Sequence, residues 1–329
     1  MKPIVFAGTG HALPSKRLHS DDIDRDLGRE VGSLRKATGV STRYFASDES
    51  QIDLAIRAAK SALFEAEISP QDIDLVLFAS GVPYQTLPAT APLIMAGLGL
   101  ADGQAAAFDV NSTCLSFVTA LDIAALKLVA KDANSVLVVS SEIASRALPW
   151  RDDPEVAALF GDGAAAAVLT RGRAETGLCA HLMRSFPSSY DACTIRAGGT
   201  RIDFHNAPEM FAENAWFRMD GKELFRVTAK HFRPFVADLL EKAGWTLDDV
   251  DLVVPHQASP FALEHMIRQL KLDPEKVANY AADIGNQIAA SIPTTLDKAR
   301  QEGRVPKGTK VLMLGTSAGV SFGGAAVQF

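Results

Sequence analysis

Two stretches of this chain repeat each other, and the repeat limits the available folds more than any other feature. Ser69-Pro70-Gln71-Asp72-Ile73-Asp74-Leu75-Val76-Leu77 matches Thr246-Leu247-Asp248-Asp249-Val250-Asp251-Leu252-Val253-Val254. Each follows a helical pattern that ends in a small-residue turn. The offset, from Asp74 to Asp251, is 177 residues. Residues 135–139 and 310–314 match at an offset of 175, from Val136 to Val311. Each second strand leads to a final strand rich in glycine and alanine, 160–169 in one half and 322–329 in the other. Two separate matches at nearly one spacing imply a duplicated αβ unit. Alternating helical patterns and apolar runs imply parallel sheets covered on both faces. The halves fall at 1–172 and 173–329, with a covering insert over 171–218 where periodicity is lost.

Composition narrows the function. The 329 residues carry a formal charge of −6, which argues against a broadly basic nucleic-acid surface. Three cysteines, Cys114, Cys179 and Cys193, have no metal-ligand spacing and suit a reducing, cytoplasmic setting. Asp152, Asp153 and Glu155 read as a solvated loop rather than a metal site. No run approaches the roughly 20 apolar residues of a membrane span. Gly8-Thr9-Gly10, ending a strand over 3–7, lacks the third glycine and the helix of a dinucleotide site. A helix is expected over 53–66. Another, over 222–243, should kink or split at Pro234.

The chemistry concentrates at turns. Cys114 follows the apolar run 105–108 and precedes a helical pattern with Leu121, Ala124, Ala125 and Leu128 on one face. There the free backbone amides and the helix dipole favour a thiolate. Such a cysteine is a nucleophile or a small core residue, and alone the second is the commoner case. Moving this turn forward by about 175 residues lands on Asp283-Ile284-Gly285-Asn286-Gln287-Ile288-Ala289-Ala290-Ser291. The duplicated strand 252–254 ends in Pro255-His256-Gln257, and sites collect at strand C-termini in open parallel sheets. Alone, His256 would be structural and Asn286 a helix cap. With Cys114 they can do more. A thiolate can take an acyl group from a thioester. A neutral histidine and an amide can hold the enolate left when a malonyl group loses CO₂.

These residues resemble the ketoacyl-acyl-carrier-protein synthase III family of the thiolase-like superfamily. The resemblance spans essentially the whole chain. It rests on Gly8-Thr9-Gly10, Thr38-Gly39-Val40, Asp109-Val110 with Cys114, Phe160-Gly161-Asp162-Gly163-Ala164 and Met219-Asp220-Gly221 with Phe225. It continues through Val254-Pro255-His256-Gln257-Ala258, Gly285-Asn286 with Ala289-Ala290-Ser291, and the C-terminal glycine-rich strand. It implies a duplicated, five-layered αβαβα fold with two central mixed, mostly parallel sheets, and a homodimer. It makes Cys114 the acylated nucleophile, with His256 and Asn286 polarising the extender thioester. The amides of Cys114 and Ala318 become an oxyanion hole. Thr38, Leu87, Arg146, Met219, Gly221, Phe225, Ala258 and Thr316 become substrate contacts, Leu87 across the dimer interface. Arg226 and Arg268 become carrier-protein contacts.

The implied activity is decarboxylative condensation of an acyl thioester with a malonyl thioester. Coenzyme A and acyl-carrier-protein thioesters serve as substrates, and no metal or other cofactor is required. Acyl transfer to an oxygen or nitrogen acceptor, or non-decarboxylating condensation of two acyl groups, is the alternative. The chain departs from the family around the nucleophile (Ser112, Thr113, Leu115, Ser116), at Ser33 and Ala37, and at Phe261.

Overall fold

The computed structural model describes residues 1–173 and 175–329. Two sheets organise it. The first runs Ile4–Ala12, Gly163–Arg171, Ser135–Glu142, Leu75–Ala79, Ala106–Val110 in spatial order. The second runs Leu252–Pro255, Lys310–Ser317, Ser321–Gln328, Gly177–Ser185. The expected repeat is visible in this wiring. Leu75–Ala79 lies parallel to Ser135–Glu142, and Leu252–Pro255 lies parallel to Lys310–Ser317. In each half the glycine- and alanine-rich strand then returns antiparallel.

Both sheets are mixed, as expected, but parallel pairings do not dominate. Ile4–Ala12, Gly163–Arg171, Ser321–Gln328 and Gly177–Ser185 all pair antiparallel. The second half shows the reason. Only Ala318, Gly319 and Val320 join Ser317 to Ser321, far too few for the crossover that a parallel neighbour needs.

Strand alternation sorts side chains into layers. Leu75, Leu77, Val136 and Val138 of one sheet and Leu252, Val254, Val311 and Met313 of the other face a shared core. That core encloses the helices Ser116–Ala130 and Ser291–Gln301. The alternate residues Val76, Phe78, Leu137 and Val139 pack outward on helix Gln51–Ala66. Val253, Leu312 and Leu314 pack on helices Gly221–Ala243 and Pro260–Leu270. The order is therefore αβαβα.

Three further expectations change. Gly8 and Gly10 do not end a strand; Ile4–Ala12 runs through both. A Cβ on Gly8 would stand 2.2 Å from the Ala62 carbonyl oxygen and one on Gly10 2.7 Å from that of Ala58. The glycines let a helix lie against the sheet. The expected insert contains an edge strand, Gly177–Ser185, whose mixed residues (His181, Met183, Arg184) hid the alternation. Pro234 lies inside one unbroken helix, Gly221–Ala243. Thr113–Ala130 is long and apolar enough for a membrane span, but half of it is buried, and it forms part of the middle layer between two sheets.

One stability prediction follows from the glycine contacts. Gly8→Ala should cost about 2–3 kcal/mol through backbone overlap with Ala62. It should lower the urea midpoint of unfolding accordingly.

Candidate active site

The two middle-layer helices begin with the same turn, built twice at a constant offset of 175 residues. In the first turn, the Thr113 N–H donates to Asn111 Oδ1 (2.9 Å) and the Ser112 N–H to Ser116 Oγ (3.0 Å). In the second, the Ile288 N–H donates to Asn286 Oδ1 (2.8 Å) and the Gln287 N–H to Ser291 Oγ (3.1 Å). Thr113 and Ile288 both adopt positive φ, 55° and 49°. Two β-branched residues in this strained conformation mark turns held by their surroundings. Cys114 answers to Ala289, and Asn286 answers to Asn111.

The repeat explains how Asn286 is aimed. Its oxygen is tied to the Ile288 amide, which leaves the NH₂ group as a donor, and the residue lines the cavity described below. The Phe160-Gly161-Asp162-Gly163 motif is the seat. Gly161 N–H donates to the Asn286 carbonyl (3.1 Å), and Asn286 N–H donates to that of Leu159 (2.8 Å). A Cβ on Gly161 would meet Ile284 O at 2.2 Å, and one on Gly163 would meet Gln287 Nε2 at 2.3 Å. Asp162 accepts from Ala46 N–H (2.8 Å), Ser145 N–H (2.9 Å) and Ser145 Oγ (2.6 Å).

His256 follows strand Leu252–Pro255, and its N–H donates to the Leu314 carbonyl (2.8 Å). Gln257 locks this turn by donating to Pro255 O (2.8 Å) and accepting from Tyr280 N–H (2.8 Å). The ring is buried, and its Nδ1 has no partner among the described residues. Burial drops its pKa to about 4, so the imidazole is neutral at physiological pH. The acid limb of turnover set by this group should therefore fall near pH 4 instead of near 6.5. A pH–rate profile reads this directly. The sign for stability agrees: its contribution is complete above the unfolded value of 6.5 and is lost as pH falls toward 4.

Cys114 departs from expectation. Burial pushes its thiol well above the ordinary range, with Cys193 and Glu142 adding charge repulsion. The amides of Ala318 and of Cys114 itself pull the other way and lose. The resting group is a thiol, and the neutral His256 lines the same cavity.

Cys114, His256 and Asn286 line one largely apolar cavity of about 1060 Å³. Arg146, Met219, Gly221, Phe225, Ala258, Thr316, Ala318 and Arg268 line it as well. One expected substrate contact, Thr38, does not, and Leu87, expected across a dimer interface, and Arg226, expected on the carrier-protein surface, lie outside it. Thr38 is buried, its hydroxyl donating to Leu34 O (2.7 Å) and accepting from Val40 N–H (3.1 Å), so it caps a helix end. Leu87 is 83% exposed. Arg226 lies outside and pairs with Glu223 (2.6 Å). Sequence reading missed the aromatic wall of Tyr84, Phe160, Phe217, Phe232 and Phe261 and also Cys193, which all line the cavity. It also missed Glu142, a single acid ending an apolar buried strand, which was a visible signal.

A duplicated αβαβα fold whose paired turns bring a cysteine, a histidine and an asparagine to one apolar cavity defines a thiolase-like condensing enzyme. Residues 108–185 match the family model for 3-oxoacyl-[acyl-carrier-protein (ACP)] synthase III, and residues 240–329 match that for its C-terminal region. The beta-ketoacyl-[acyl-carrier-protein] synthase III of Clostridium perfringens is 31% identical over the full length of both chains. The solved 3-oxoacyl-[acyl-carrier-protein] synthase III of Aquifex aeolicus is 33% identical, covers 99% of each chain and superposes with a TM-score of 0.87. Xanthomonas campestris OleA, solved with bound lauric acid and lauroyl-CoA, is 25% identical over 99% of each chain, with a TM-score of 0.85. The chain belongs to the 3-oxoacyl-ACP synthase III family of condensing acyltransferases.

Proposed function

We propose that this protein transfers an acyl group from an acyl thioester to Cys114 and condenses it with a malonyl thioester. The carrying observation is that Cys114, His256 and Asn286, from turns far apart in the chain, all line one cavity. His256 takes the thiol proton as Cys114 attacks, and the amides of Cys114 and Ala318 hold the tetrahedral oxyanion. The first thiol leaves and the acyl-enzyme remains. A malonyl thioester then binds with its carbonyl oxygen against His256 and the Asn286 amide. Loss of CO₂ leaves an enolate there, which attacks the acyl-cysteine and frees Cys114 with a β-ketoacyl product. Loss of CO₂ drives the bond formation, so the cycle calls for no metal or redox cofactor.

Coenzyme A is the proposed acyl donor, with Arg146 and Arg268 at the cavity for its anionic groups. A carrier protein is the proposed extender donor, docking at Arg226 and Arg268. The nucleophile must stay reduced, which fits a cytoplasmic setting and three free cysteines. A homodimer is supported by Ala106–Val110, an edge strand of the first sheet, where Phe108 is 38% exposed. Leu93, on the helix packed beside that strand, is exposed too. Sedimentation should give a dimer, and Phe108→Glu should shift it to monomer; a native monomer contradicts this.

A second reading, non-decarboxylating condensation of two acyl chains, is favoured by the roomy apolar cavity and by the likeness to OleA. The test is acyl-CoA with and without malonyl thioester, reading CO₂ and product. CO₂ released in step with a β-ketoacyl product supports the first reading. A product from acyl-CoA alone supports the second.

A further inference from the structure

Glu142 ends strand Ser135–Glu142 and is 0% exposed. Its Oε1 accepts from the Gly81 N–H (2.5 Å) and its Oε2 from the Val82 N–H (3.3 Å). Burial pushes the acid up to about 8, against the pull of these amides and of the Ala289 N–H, which also faces it. The side chain lies behind the cavity wall and does not line the cavity.

The duplication gives this arrangement a meaning. At the offset of 175 residues, Cys114 answers to Ala289 and Glu142 to Ser317, the residue before Ala318. In the first half, a thiol faces the amides of Cys114 and Ala318. In the second half, the matching amide of Ala289 has only a methyl side chain at its position and faces the Glu142 carboxylate instead. We infer that Glu142 fills the unused amide pocket of the duplicated fold and thereby holds the Asn286 turn in register with the nucleophile. It is a positioning residue for condensation, and this rests on the proposed function.

Packing supports the link. A Cβ on Gly81 would stand 2.9 Å from Ile288 Cγ2, 3.4 Å from Glu142 Oε1 and 3.4 Å from Thr113 Cα. Gly81, the nucleophile turn, the Asn286 turn and the carboxylate thus meet at one point. Ile288 is also the residue whose N–H orients the Asn286 side chain (2.8 Å). Loosening Ala289 or Ile288 therefore moves the Asn286 donor, while Cys114 and Ala318 keep their own amides.

Above pH 8, where Glu142 is ionised, Glu142→Gln keeps the volume but replaces one acceptor oxygen with an NH₂ that confronts backbone N–H donors. We expect acylation of Cys114, read by intact mass over time, not to fall below native, because losing the Glu142 charge only eases ionisation of the thiol. The condensation kcat should fall roughly 30- to 100-fold, the size of effect that a 1 Å misplacement produces. Glu142→Asp should recover part of that loss. If the glutamine variant does not fold, Glu142→Asp is read in its place: it keeps an acceptor-only group but shortens its reach, and should lower condensation by a smaller factor with acylation maintained. Condensation within about twofold of native, or acylation and condensation falling together, would overturn the inference. No acyl adduct on the native protein would overturn the proposed function instead.

Discussion

Cys114→Ala should take up no acyl group from any acyl-CoA, and turnover should fall by about 10⁴-fold or more. The size of the effect follows from the site. In the proposed cycle the side chain at position 114 stands at the amides of Ala318 and of its own backbone, where the tetrahedral oxyanion forms. Cys193 lines the same cavity, but among the described residues no backbone amide is set against its thiol. Folding should be unaffected, because the turn is held by Asn111 and Ser116 and not by the thiol. Intact mass after incubation with acyl-CoA, with circular dichroism as a folding control, checks this. An adduct that survives on the alanine variant contradicts the assignment.

Asn286→Ala and His256→Ala should divide the reaction in two. In the proposed cycle each removes a donor to the enolate oxygen, and losing one such donor costs about 10²–10³ in kcat. Asn286→Ala should leave Cys114 acylation nearly intact, since this amide acts only on the second substrate. His256→Ala should slow both steps, because the neutral imidazole also takes the thiol proton. Rapid-quench measurement of the two half-reactions separates these outcomes. Full turnover by Asn286→Ala would favour plain acyl transfer over condensation.

The architecture could be read from the sequence because duplication doubles every signal. The matches at 74 and 251 and at 136 and 311 correspond to strands that occupy equivalent places in two sheets. The offset that linked Cys114 to the Asn286 region reappears as two turns with the same bonds and the same positive φ. Positions set by period were legible. Positions set by burial were not. The helix dipole suggested an easily ionised Cys114, while the surroundings that raise its pKa come from residues far along the chain, Cys193 among them. Thr38 looked like a substrate contact because it precedes a family glycine, but its hydroxyl is spent on its own helix. Edge strand Gly177–Ser185 was missed because its side chains do not alternate cleanly in polarity. Gly8 and Gly10 signalled a loop when their role is to admit a helix.

The most direct test of condensation through an acylated Cys114 is a two-step mass measurement. The native protein is first loaded with acyl-CoA, freed of excess, and then given a malonyl thioester. The predicted result is an adduct on Cys114 that disappears as CO₂ and a β-ketoacyl thioester appear in equal amounts. An adduct that persists, or that leaves as free acid without CO₂, would contradict it.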